Sequence, residues 1–88
     1  MATSTHASHA LSAVTGALAL HTGAEEHQIK TEERLALIPG IESVKLLRAV
    51  ADIEDGCGVL IPDDFAFETA TVQELADCVA HLLAGAGS

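Results

Sequence analysis

Residues 40–58 read Gly40-Ile41-Glu42-Ser43-Val44-Lys45-Leu46-Leu47-Arg48-Ala49-Val50-Ala51-Asp52-Ile53-Glu54-Asp55-Gly56-Cys57-Gly58. Leu46, Val50, Ile53 and Cys57 recur at i, i+4, i+7 and i+11, the spacing of one face of an α-helix. Leu47 and Ala51 extend that stripe, and Lys45, Arg48, Asp52 and Asp55 fall opposite it. The pattern predicts an amphipathic helix that starts near Ser43, after Pro39-Gly40, and stops at Gly56 or Gly58. Its charges run against the helix dipole: Lys45 and Arg48 come first, and Asp52, Glu54 and Asp55 last. The dipole favours the reverse order by about 0.3–1 kcal/mol per well-placed charge. Such local conflicts concentrate at functional sites, and a positive helix start suits an anion held there.

Toward the C-terminus, Thr71-Val72-Gln73-Glu74 is a capping box, in which hydroxyl and carboxylate each take up an exposed backbone N–H. Behind it Val72, Leu75, Ala76, Val79, Leu82 and Leu83 form an apolar stripe that ends at Gly85. Between the two helices, Pro62-Asp63-Asp64 is read as opening a short helical turn over Phe65-Ala66-Phe67. Toward the N-terminus, Ala10, Leu11, Val14, Ala17, Leu18 and His21 fall at helical spacing, with Ser8 as N-cap and Gly23 as stop. Residues 24–40 are a long connection with room for a short helical turn near Thr31–Leu37. The expected fold is all-α, a small four-helix bundle of three main helices and one short one. The expected division is a flexible tail over 1–8, one domain over 9–84 and a short tail over 85–88.

Composition narrows the function. The chain has 88 residues, 13 acids against 4 bases and a net charge of −9, which disfavours nucleic acid and anionic membrane as partners. Two Phe and no Trp or Tyr leave little surface for stacking bases. Cys57 and Cys78 are too few for a disulfide scaffold and are expected as small, reduced, buried side chains. No basic leader and no membrane-length apolar run is present, so a cytoplasmic protein is expected. His6, His9, His21 and His27 lack carboxylate or thiol partners at ligand spacing, and no metal site is expected. A chain this small offers little room for a hydrolase cleft, and Ser43 lacks a nucleophile-elbow glycine pattern.

From Gly40-Ile41-Glu42-Ser43 onward the chain resembles the acyl and peptidyl carrier proteins, whose serine at the start of the second helix receives 4′-phosphopantetheine. Ile61-Pro62-Asp63 and Thr71-Val72 follow Ser43 at the family's intervals, and the resemblance runs from about residue 35 to 83. It departs at Glu42 (usually Asp or His), at Val44 (commonly Leu), at Lys45 and Arg48 (often acidic) and at Cys57 (often aromatic). Residues 65–76 look more like the peptidyl carriers of assembly lines.

The resemblance implies a free-standing, monomeric, non-catalytic carrier of a specialised polyketide or non-ribosomal-peptide type of pathway. Ser43 would be the attachment point for phosphopantetheine from coenzyme A, and the arm would hold acyl or aminoacyl cargo as a thioester. The implied partners are a phosphopantetheinyl transferase, a loading ligase or transferase, and downstream synthase or tailoring enzymes. They would dock on Ile41, Glu42, Val44, Lys45, Leu47, Arg48, Asp52 and Asp55. The competing expectation is a bundle of the same shape that docks to another protein and is never modified.

Overall fold

The computed structural model describes residues 2–62 and 64–86, with side chains over 6–62 and 64–85. Met1, Asp63, Gly87 and Ser88 lie outside the described residues, and with them part of both expected tails and the aspartate of Ile61-Pro62-Asp63. Three long helices dominate: α1 (Ala2–Thr22), α2 (Ser43–Cys57) and α3 (Val72–Ala86). α1 packs against both others. The described residues contain no strand, only an isolated bridge between Arg34 and Thr71.

The core is apolar throughout. Leu18 and Val14 of α1, Ile53 of α2, Leu75, Val72 and Val79 of α3, and Leu35 from the connection are essentially inaccessible to water. Burying a side chain of this size contributes about 1.5–3 kcal/mol. The stripes expected on α1 and α3 supply these residues. On α2 the stripe leans the other way: Ala49 is fully buried, while Leu47 and Ala51 face solvent. α1 lies on the Ala49 side, where His21 Nε2 meets Asp52 Oδ2 at 2.5 Å, so the helix is turned toward α1.

Two helix ends differ from expectation. α1 begins at Ala2, through the segment expected to be a frayed tail, so Ser8 lies inside the helix and does not cap it. No Gly or Pro precedes Gly16, and Ala, Ser, Thr and His each cost little inside a helix. α3 continues through Gly85 to Ala86. The start and stop of α2 fall where the sequence put them. Gly58 closes the helix in the left-handed region (φ 68°), its N–H donating to the Glu54 carbonyl at 2.9 Å.

The connection between α1 and α2 contains two 3-10 turns, Glu26–Gln28 and Leu35–Leu37, the second within the expected stretch. It is pinned to the start of α3. Val72 N–H donates to the Glu33 carbonyl (2.9 Å), Gln73 N–H to the Thr31 carbonyl (2.8 Å) and Leu35 N–H to the Ala70 carbonyl (2.9 Å). After Pro62 the chain makes hydrogen-bonded turns and not the expected helical one: Phe65 N–H reaches the Pro62 carbonyl and Ala70 N–H the Ala66 carbonyl. These turns bring Phe65 against Phe67, the rings tilted 57° to each other with centroids 4.8 Å apart.

Candidate functional site

Ser43 is the first residue of α2 and is exposed. The chain reaches it through a tight turn. Ile41 N–H donates to the Ile38 carbonyl at 3.0 Å, with Pro39 and Gly40 between them and Gly40 at φ 85°. Proline followed by a positive-φ glycine is the signature of a type II turn. A Cβ on Gly40 would stand 3.0 Å from the Thr22 carbonyl oxygen, so the turn lies against the end of α1. Thr22 is itself held, its hydroxyl donating to the Leu18 carbonyl at 2.8 Å. The position of Ser43 is thus set by the backbone of α1.

Glu42 stands at the N-cap, but its side chain makes no capping bond. Leu46 N–H donates to the Glu42 carbonyl, the first bond of the helix. The N–H groups of Ser43, Val44 and Lys45 find no acceptor among the described residues, and no acid lies in the first turn. Among the described residues the Ser43 hydroxyl bonds to no histidine or carboxylate.

Of the expected docking residues, Glu42, Val44, Leu47, Arg48, Asp52 and Asp55 are exposed, and Ile41 and Lys45 half-buried. Neither Lys45 nor Arg48 joins an ion pair among the described residues, leaving a free basic spot just past Ser43. Asp52 differs from the others, because it is engaged by His21 of α1.

Beside Ser43 lies an apolar groove of about 410 Å³. Ile41, Leu46 and Leu47 line one part of it, and Ala36, Phe67 and Glu68 bring in the connection and the turns before α3. The sequence reading missed Ala36, Phe67 and Glu68. Their nearness to Ser43 comes from the pinned connection, and no local motif announces it. Cys57 and Cys78 are free, and only half-buried where buried side chains were expected; that burial pushes both thiols above the usual cysteine value.

A family model described as phosphopantetheine attachment site matches residues 12–79, which takes in parts of all three helices and Ser43. No curated protein and no solved structure matches the chain.

Proposed function

Because the chain belongs to the phosphopantetheine-attachment family of carrier proteins, we propose that Ser43 is its attachment residue and that it serves a specialised biosynthetic pathway as a free-standing, monomeric, cytoplasmic carrier. The observation that carries this reading is the exposed Ser43 hydroxyl at the open start of α2. The family's cofactor is 4′-phosphopantetheine, attached covalently. The site fits it: Ser43 is exposed, three N–H groups at the helix start find no acceptor among the described residues, and the groove offers apolar surface alongside. When bound, the group supplies a thiol that holds acyl or aminoacyl cargo as a thioester.

The residues of the chain position and present; they do not catalyse. Gly40 and the turn it closes hold Ser43 at the helix start. Deprotonation of the Ser43 hydroxyl falls to the phosphopantetheinyl transferase, since among the described residues no base bonds to it. Val44 and Leu47 offer apolar contact to that transferase and to loading and downstream enzymes, with Arg48 and Asp55 as charged markers. A specialised pathway is supported by Lys45 and Arg48, two cations where the fatty-acid carriers often have acids. A cytoplasmic site is compatible with the absence, among the described residues, of a helix long and apolar enough to cross a membrane.

Incubation of the purified chain with coenzyme A and a permissive phosphopantetheinyl transferase should add one phosphopantetheine to the intact mass, and Ser43→Ala should abolish the gain. Failure of the wild-type chain to gain mass with any transferase tried would leave the docking-only bundle as the better reading.

A further inference from the structure

α2 is seated against its own hydrophobic preference. Ala49 and Asp52 stand on the flank toward α1, and Leu47 and Ala51 on the other side of buried Val50 and Ile53. Ala49 is fully buried, while Leu47, a much larger apolar side chain, is 64% exposed. Apolar stabilisation grows with the area removed from water, so covering Leu47 in place of Ala49 would gain more. Lys45, seven residues before Asp52 and so on its flank, is half-buried and joins no ion pair among the described residues. A partial roll of α2 away from α1 would bury Leu47 and return Lys45 to water.

There is room for that roll. Leu47 stands on the wall of the groove beside Ser43, together with Ala36 and Phe67. The groove, at about 410 Å³, is larger than a leucine side chain. Carried inward by the roll, Leu47 would fill part of it.

What opposes the roll comes from α1. His21 Nε2 meets Asp52 Oδ2 at 2.5 Å, with the His21 side chain 20% and the Asp52 side chain 50% exposed. Among the described residues this is the one side-chain hydrogen bond between α1 and α2. A bond to a carboxylate partly shielded from water is comparable with what finishing the burial of Leu47 would gain. Thr22, the next residue, sets its carbonyl against Gly40, so one turn of α1 holds both the approach to α2 and its later half.

We infer that His21 and Asp52 are a positioning pair, a latch that keeps α2 turned toward α1 and the apolar groove beside Ser43 open. Releasing it lets α2 roll and Leu47 close the groove. The inference goes beyond the carrier reading and does not depend on it, because the latch acts in the unmodified chain. On that reading the latch sets how much apolar surface the arm and its cargo meet.

Two readouts on the unmodified chain test it. The first is the affinity of Nile red, an uncharged apolar dye, for wild type, His21→Leu, Asp52→Ala, the double variant and His21→Gln. Far-UV circular dichroism checks that each variant folds. The latch predicts that either single loss weakens dye binding about fivefold, the worth of one half-exposed hydrogen bond to a charge. The double variant should weaken it no further, and His21→Gln, which keeps an N–H donor, should recover most of the loss. A bundle that merely loosened would expose its core and bind more dye. That result overturns the inference, as do unchanged affinity, additive losses, no recovery by His21→Gln, or no dye binding by wild type. The second readout is the emission of Leu47→Trp, a single reporter in a chain with no other Trp and no Tyr. Adding His21→Leu should shift that emission to the blue and protect it from acrylamide; unchanged emission would mean that α2 does not roll and would overturn the latch. Absence of mass gain with a transferase sinks the carrier reading alone and leaves both of these readouts standing.

Discussion

α2 and α3 are both 15 residues long, and they begin in opposite ways. At the start of α3 the Thr71 hydroxyl accepts the Glu74 N–H (3.1 Å), Glu74 Oε1 accepts the Thr71 N–H (2.8 Å), and the carbonyls of Glu33 and Thr31 take the next two donors. At the start of α2 the N-cap side chain makes no bond, three N–H groups find no acceptor among the described residues, and Lys45 adds the wrong charge. One start is closed by its own chain and serves stability. The other is held in place from outside, by a turn lying on α1, and its donors stay available. At the helix that begins with Ser43, the bonds that would finish the first turn are left unmade among the described residues.

The sharpest way to break this comparison is to disturb the turn that holds the open start. Gly40→Ala would place a Cβ against the Thr22 carbonyl in a left-handed conformation, with an expected cost of about 1–3 kcal/mol in urea unfolding. An unchanged midpoint would mean that α2 does not depend on α1 for its position. Next comes the closed start. Thr71→Ala is expected to cost about 1 kcal/mol by the same measurement, the usual worth of an N-cap. The smallest effects belong to the open start itself. Lys45→Glu should stabilise by about 0.3–1 kcal/mol, because it replaces a cation with an anion in the first turn. A destabilising Lys45→Glu would show that the lysine has a structural role that the dipole argument misses.

The sequence disclosed the parts whose signals are local. The start of α2 followed from Pro39-Gly40 and its stop was narrowed to Gly56 or Gly58, of which Gly58 is the cap, and the α3 start followed from Thr71 and Glu74, because residue types carry those signals. The residues around Ser43 singled it out as the proposed attachment point, and the structure places it exposed at the start of α2. The path of residues 24–42 was not, since it is fixed by backbone bonds from Leu35, Val72 and Gln73 that leave no side-chain signature. The true start of α1 was missed because Ser8 is a capping residue type that also fits inside a helix. Periodicity alone extended the apolar stripe of α2 to Leu47 and Ala51. Their period is right, but only the place of α1 decides which flank of the stripe is covered, and Ala49 is on the covered one. Asp52 was grouped with the free charges because nothing in sequence brings His21 near it.

The burial of the two cysteines bears on how long cargo survives. A thioester is open to theft by any nearby thiolate, including one on the chain that carries it. Cys57 and Cys78 are half-sunk beside the core, and burial pushes both thiols above the usual cysteine value, which itself lies above neutral pH. On the proposed carrier function, the chain's own sulfurs would therefore be slow thieves, and the lifetime of a thioester on it would be left to water and to partner enzymes.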